Sequence, residues 1–329
     1  MARLAAVTGA TGFLGRYIVG ALAAAGWQVR VLARQDAAHP QLDGLALQTV
    51  RGDLSDRRAL DELIDGADAV VHAAGLIKAP NAAAFRAVNV GGTANLVAAL
   101  NDGGAGKHLL LVSSMVARES GLSAYAGTKR AGENVVATAL KPPHEWTIVR
   151  PCAIYGPWDK ETLAIFQAIA RRVFPVMHRR AARAALIHAA DAAGAIVSLC
   201  NYGPSGRIFE LTDRRADGYS WAEIVSAAEA AIGTRALKIP LPGIAVRAVG
   251  AMNAVVARVA GRTPMLTLGK AREILHADWG SAVDRLPPPE LWQPRVALDA
   301  GFRETVSWYR DRRWLPPLAA GQSETVFPH

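Results

Sequence analysis

Leu4-Ala5-Ala6-Val7-Thr8-Gly9-Ala10-Thr11-Gly12-Phe13-Leu14-Gly15 opens this chain of 329 residues, and its reading decides the fold. Leu4 to Val7 make an apolar run of strand length, and from Phe13 to Ala25 apolar residues recur at helical spacing. The turn between them carries three glycines. Gly9 lets the chain leave the strand in a conformation closed to other residues, and Gly12 lets backbone N–H groups approach a pyrophosphate; Gly15 lets helix and strand pack closely. A phosphate held there meets unpaired N–H groups and the positive end of a helix dipole. Glycine turns are common, but a strand before and a helix after supply the context of a dinucleotide-binding unit.

Outward from that unit, Gln28 to Ala33 alternate as a strand and stop at Arg34. At this point of such a fold an acid bonds the adenosine 2′-hydroxyl, whereas a cation accepts a 2′-phosphate. Arg34 therefore favours NADP(H), with NAD(H) the alternative because Asp36 follows closely. A third strand, Leu45 to Arg51, ends at Gly52-Asp53-Leu54, and Asp56 to Leu63 read as a helix. Ala69 to Gly75 read as a fourth strand, and Ala73-Ala74-Gly75 leave room for a flat ligand. His72, inside that apolar strand, reads as a hydrogen-bonded core residue. A helix from Phe85 to Leu100 carries Asn89. The fifth strand, Leu109 to Val112, gives way to Ser113-Ser114. Strands alternating with helices at this spacing predict an α/β protein with a doubly wound parallel sheet, the Rossmann arrangement. On the next helix Tyr125 and Lys129 are four apart and share a face.

These segments in this order resemble the short-chain dehydrogenase/reductase superfamily, in its extended, epimerase/dehydratase-like branch. The resemblance rests on the glycine turn, the Asn89 segment, Ser114 with Tyr125 and Lys129, and Arg150-Pro151-Cys152-Ala153-Ile154-Tyr155-Gly156-Pro157, and it covers nearly the whole chain. It implies that Tyr125 exchanges a proton with substrate and that Lys129 lowers the phenol's pKa and bonds the nicotinamide ribose. Ser114 would bond the substrate oxygen, Ser113 would lie nearer the cofactor, and Asn89 would hold neighbouring backbone and a water. A free phenol, with a pKa near 10, is a poor base at neutrality, so an adjacent ammonium has work to do. The implied cofactor contacts are Gly9, Thr11, Gly12, Phe13, Leu14, Gly15, Arg34, Asp53, Leu54, Ala73, Ala74, Gly75, Ser113, Tyr125, Lys129, Pro151 and Ile154. No metal is expected. Residues 1–150 would form the nucleotide-binding domain, and 151–329 a smaller α/β substrate lobe interleaved with the last elements of the sheet. Extended members often dimerise through the helices carrying Asn89 and Tyr125, which leaves a homodimer open here.

Tyr155 and Trp158 are the residues expected against substrate, with Ile187-His188 and Ser220-Trp221 as further pocket candidates and Asp191 as a helix cap. Two departures bear on the substrate. Met115-Val116-Ala117-Arg118 and a short loop replace the segment that follows the serine in many sugar-nucleotide members. Downstream, Ile239-Pro240-Leu241-Pro242, an Ala/Val-rich run from Ala245 to Ala260 and Thr263-Pro264-Met265-Leu266-Thr267 resemble members acting on apolar alcohols and ketones, the 3β-hydroxysteroid dehydrogenase and dihydroflavonol reductase types. The run itself reads as a core helix, a dimer surface or an amphipathic helix in peripheral contact with a membrane; Arg247 and Arg258 exclude a span. The leading expectation is an NADP(H)-dependent oxidoreductase that interconverts carbonyl and alcohol on a small, moderately apolar substrate. The alternatives are a nucleotide-sugar epimerase or dehydratase that retains its NAD(P), and a non-catalytic cofactor-sensing or assembly protein, against which the intact Tyr125 and Lys129 count.

Half the residues are hydrophobic (51%), enough for a full core. Two cysteines, Cys152 and Cys200, form no disulfide or metal framework, and no apolar run is long enough to span a bilayer, so a cytoplasmic protein is expected. The net charge of +9 is spread in small clusters such as Arg171-Arg172, Arg179-Arg180 and Arg312-Arg313. No nucleic-acid motif accompanies it, so the charge reads as a solvated surface that attracts anionic substrates, not nucleic acid. Pro287-Pro288-Pro289 reads as a loop and Gln322 to His329 as a frayed tail.

Overall fold

A computed structural model describes residues 3–177, 182–244, 247–248 and 267–317. Of the run Ala245 to Ala260 only Arg247 and Ala248 fall within them; Arg179-Arg180, Thr263 to Leu266 and the tail from Gln322 lie outside.

Seven strands form one parallel sheet: β1 (Leu4–Thr8), β2 (Gln28–Ala33), β3 (Leu47–Arg51), β4 (Ala69–His72), β5 (His108–Val112), β6 (Glu145–Pro151) and Arg207–Leu211. Their spatial order places β1 between β2 and β4, with β3 at one edge and Arg207–Leu211 at the other. The order reverses beside β1, and in open parallel sheets the crevice at such a point, beyond the carboxyl ends of the strands, takes the ligand. The glycine turn, Ala73-Ala74-Gly75 and Ser113-Ser114 all leave strands at that end. The strands are buried on both faces, by α1 (Phe13–Ala24) and the helix Ala189–Tyr202 on one side and by α2 (Arg57–Ile64), Leu96, Leu100 and Val136 on the other.

The helix expected over Phe85 to Leu100 is broken. α3 (Ala82–Arg86) runs through a wide π turn, Ala87–Gly92, into α4 (Thr93–Asp102). Such single π turns recur at functional sites, and this one contains Asn89. α5 (Ala124–Ala139) follows, capped by Ser123, whose hydroxyl accepts from the Ala126 N–H.

A third apolar cluster builds a lobe from segments after β6. Tyr155, Phe166, Phe302 and Tyr309 form its centre, with rings in edge contact. Around them lie β7 (Ala153–Tyr155), α6 (Leu163–Ala170), β8 (Val173–Met177), β9 (Arg183–Ala184), β10 (Leu186–His188), α7 (Ala189–Tyr202, the helix against α1), β11 (Arg207–Leu211, the edge strand of the large sheet), β12 (Tyr219–Ser220), α8 (Trp221–Ile232), β13 (Leu237–Leu241), α9 (Leu268–Leu275), β14 (Asp278–Trp279) and α10 (Leu298–Asp311). Arg118 fastens β14 to the sheet end, donating to the carbonyls of Asp278 and Gly280 and pairing with buried Glu210 at 3.3 Å. Among the described residues no helix is long and apolar enough to cross a membrane.

Candidate active site

The glycine turn closes by a Gly12 N–H to Gly9 carbonyl bond of 3.0 Å, with Gly9 at φ +75°. A Cβ on Gly9 would lie 2.5 Å from the Ala74 nitrogen, and one on Gly15 would lie 1.9 Å from the Gly9 carbonyl oxygen. Both must therefore be glycine for the turn to exist. Gly12 differs, since its Cβ would meet only the Gly9 oxygen, at 3.2 Å. α2, α5 and α8 each have a side chain capping their first turn; α1 has none, and no acid lies in its first turn. Uncapped leading N–H groups at a helix start are open to an anion such as a dinucleotide's phosphates.

The turn is tied to the neighbouring loop. Ala73 N–H donates to the Thr8 carbonyl, and Ala74 N–H to the Thr8 hydroxyl at 3.3 Å. That hydroxyl also meets His72 Nδ1 at 2.7 Å, and His72 Nε2 meets the Thr93 hydroxyl at 3.0 Å, which itself donates to the Asn89 carbonyl. Because Thr93 gives its proton to Asn89, His72 donates from Nε2 and accepts at Nδ1. Burial holds its pKa down at about 3, with Lys129 adding to the effect, so the ring is neutral. His72 is a structural link, as its apolar strand implies.

Asn89 clamps the loop beyond β4. Its Oδ1 accepts from Leu76 N–H at 2.7 Å, and its Nδ2 donates to the Leu76 carbonyl at 3.0 Å and to the Thr128 hydroxyl at 3.1 Å. Gly75 is thereby held beside Lys129; a Cβ there would come within 3.2 Å of Asn89 Oδ1 and 3.8 Å of Lys129 Nζ. Gly75 itself is exposed.

Tyr125 and Lys129 lie on adjacent turns of α5. Lys129 Nζ donates to the Val112 carbonyl at 2.7 Å, and the Tyr125 phenol is hydrogen-bonded with Ser114. Burial pushes the phenol up to about 12, Ser114 opposing and the Glu273 carboxylate reinforcing the shift. Burial also brings the Lys129 ammonium down to about 8, with Glu133 opposing. At neutral pH the protein alone therefore presents a protonated phenol beside an ammonium, a proton donor ready for a developing alkoxide.

Two carboxylates missing from the sequence reading frame this pair. Glu133, four residues past Lys129, accepts from the Ser113 hydroxyl at 2.5 Å and a two-point contact from Arg150 at 2.8 and 2.6 Å. The same four-residue spacing that joined Tyr125 to Lys129 points to it. Glu273, on α9, accepts from the Ser123 hydroxyl and from Lys270; nothing in the sequence relates a residue so distant to Tyr125.

Other expected positions divide. Thr11, Phe13 and Leu14 lie in the glycine turn and the opening of α1, whereas Leu54 packs against Gly92. Arg34 is exposed past β2, while Asp36 is paired with Arg51 at 2.7 Å. Asp53 is exposed and accepts from Ser55, whose hydrogen bonds lower its pKa. Pro151 and Ile154 leave β6 and enter β7 at the same sheet end. The Ser113 hydroxyl donates to Glu133 and its N–H to the Val149 carbonyl at 2.8 Å. Tyr155 is fully buried between Phe302 and His188 at the centre of the lobe. Trp158 packs between His39 and Trp308 with Arg312 over its ring. Ile187 and His188 are buried, and Ser220 caps α8 with Glu223. Asp191 does not cap its helix, since His188 takes that place; buried Asp191 accepts from the backbone of Arg295 and Val296.

The sequence pattern of the NAD dependent epimerase/dehydratase family matches residues 5–212. The chain is 44% identical over 312 residues to the ceramide reductase of Caulobacter vibrioides, covering 94% of this chain and 96% of that protein. It is 31% identical over 224 residues to a 4-hydroxy-2-methyl-3-oxo-4-farnesyl-3,4-dihydroquinoline-1-oxide ketoreductase of Stigmatella aurantiaca, covering 63% and 67%. Its fold matches that of the dTDP-glucose 4,6-dehydratase DesIV of Streptomyces venezuelae, solved with NAD bound, at a TM-score of 0.70 and 22% identity over 96% of this chain and 100% of that one. The chain belongs to the NAD-dependent epimerase/dehydratase family, the extended short-chain dehydrogenase/reductases, and is an NAD(P)-dependent enzyme of the oxidoreductase/epimerase type.

Proposed function

We propose that this enzyme uses NADPH to reduce a ketone on a ceramide-class lipid to the secondary alcohol, with residues 1–150 as the nucleotide-binding half. The observation that carries this reading is the 44% identity to a ceramide reductase, which extends over 94% of the chain and so includes the lobe where substrates are chosen. When bound, NADPH supplies a hydride to the carbonyl carbon. Tyr125 delivers the proton to the carbonyl oxygen, so C=O becomes CH–OH. Ser114 hydrogen-bonds that oxygen as negative charge develops on it. Lys129 holds the nicotinamide ribose and keeps a positive charge beside the phenol. Arg34 meets the 2′-phosphate. Asn89 keeps Gly75 and Leu76 back from the ring.

The test is NADPH oxidation with a panel of ketones, from oxidised ceramide in detergent micelles to short-chain soluble analogues, beside a nucleotide-sugar control. Stoichiometric NADPH consumption with the lipid ketone is expected. Turnover of a nucleotide sugar without net cofactor consumption would overturn the reading.

A further inference from the structure

We propose that the exposed face of the two-stranded ribbon β8–β13 docks on an anionic lipid bilayer and places the active-site entrance at the membrane. This rests on the lipid-reductase reading for its substrate, but not for its geometry.

The ribbon is parallel, with Val173 opposite Leu237 and Pro175 opposite Ile239. Alternate residues of a strand share a face, so these four stand together, while Phe174 between them turns into the lobe core. Val173 is 42% exposed, Leu237 68% and Ile239 44%, with Ile244 just beyond at 80%. A grouped apolar surface of this kind marks an interaction site more often than scattered apolar residues do.

Charge selects the occupant. In the sequence, residues 162–190 and 230–272, which supply the two strands, carry twelve of the chain's 37 Lys and Arg and none of its 28 Asp and Glu. Arg171, Arg172 and Arg235, next to the starts of the two strands, are exposed, while Lys238, opposite Phe174 on the other face of the ribbon, lies 3.9 Å from Glu229. An apolar face rimmed by cations matches a bilayer surface bearing anionic headgroups, where apolar burial and charge attraction add. A second copy of the chain would bring the same positive rim against itself.

The ribbon also leads to the site. Beyond β13, Gly243 approaches the Leu275 side chain of α9, where a Cβ would stand 3.5 Å from it. Gly269 of the same helix lies against Ser123, where a Cβ would come within 2.8 Å, and Glu273 bonds the Ser123 hydroxyl at the start of the Tyr125 helix. The surface and the phenol are thus joined through one short helix.

Vesicle co-sedimentation of the full chain tests this. At physiological ionic strength it should bind vesicles of phosphatidylglycerol and phosphatidylcholine in equal parts, and not vesicles of phosphatidylcholine alone. Leu237→Asp with Ile239→Asp should weaken binding by at least about tenfold, and Arg171→Gln with Arg172→Gln by roughly tenfold. Both variants should keep wild-type circular dichroism and wild-type turnover of a short-chain soluble ketone. No binding, equal binding to both vesicles, or undiminished binding of the double-Asp variant would overturn the proposal. So would a dimer that the double-Asp variant splits while vesicle binding persists. Vesicle binding without turnover of any ketone would instead overturn the reductase reading and leave the docking surface standing.

Discussion

The Lys129 ammonium is anchored 2.7 Å from the carbonyl oxygen of Val112, so one bond ties the Tyr125 helix to the end of β5 and fixes where the positive charge stands relative to the phenol. Lys129→Met removes the charge and leaves a buried carbonyl without its donor, an expected cost of about 1–3 kcal/mol in stability. Tyr125→Phe leaves that bond intact. Both substitutions should lower kcat/KM for ketone reduction by roughly 10²–10⁴-fold. Only Lys129→Met should also weaken NADPH binding, as read by quenching of protein fluorescence.

The ionisations of the free enzyme appear in the pH dependence of kcat/KM. At pH 7 the phenol, at about 12, and the ammonium, at about 8, are both protonated. Raising the pH removes the Lys129 proton first, and with it the ammonium proposed to hold the nicotinamide ribose. Ketone reduction should therefore fall above about pH 8. Alcohol oxidation needs the phenolate and should rise with pH. Glu273 pushes the phenol up, so Glu273→Gln should move the rising limb of the oxidation profile to lower pH. A carboxylate that merely fastened α9 would change the height of that profile and not its position.

The sequence made the nucleotide crevice legible because its parts are local. Glycine spacing, the Ser113-Ser114 strand end and the Tyr125 to Lys129 helical step each fall within a few residues, where backbone geometry decides the outcome. The π turn at Asn89 was not legible, since its cause is the clamp on Leu76 and Thr128, which needs three segments in place. The surroundings of Tyr155 were not legible for a related reason: Phe302, whose ring meets it edge-on, is distant in sequence. Glu273 belongs to the same class.

Asp36 is neutralised by Arg51 at 2.7 Å, which leaves Arg34 as the cation facing the end of β2. Arg34→Ser should raise KM for NADPH by about tenfold or more and change KM for NADH by about twofold at most, because only the 2′-phosphate offers a guanidinium its partner. Steady-state kinetics with both cofactors checks this. Equal losses with the two would assign Arg34 to the surface.

His72 gives the fold an acid-sensitive point. Its ring is held at about 3 in the folded chain, against about 6.5 when unfolded. Between these values the unfolded state binds the extra proton, so stability falls as pH drops below 6.5 and keeps falling towards 3. The loss by pH 4 is on the order of 3 kcal/mol. His72→Gln, which cannot take up that proton, should be less stable than wild type at pH 7 but lose less on moving to pH 4.5, as read by urea melts at the two pH values.

Gly12 and Gly15 look alike in sequence and should fail differently. At Gly15 a methyl group would fall 1.9 Å from the Gly9 carbonyl oxygen, a backbone atom that cannot withdraw without opening the turn. Gly15→Ala should thus cost a few kcal/mol of stability with or without cofactor. At Gly12 the same methyl stands 3.2 Å from that oxygen, and a shift of a few tenths of an ångström accommodates it. Gly12→Ala should cost about 1 kcal/mol or less in the free protein, the price of a poorer helix cap. Its methyl would instead occupy the approach to the uncapped N–H groups of α1. Wild-type protein in NADPH at a hundred times its dissociation constant gains about 2.7 kcal/mol, a rise visible in a thermal melt. Gly12→Ala should lose most of that rise at the same NADPH concentration, while Gly15→Ala should melt early in both conditions. If Gly12→Ala retained the full rise, the phosphates would not rest on the opening of α1.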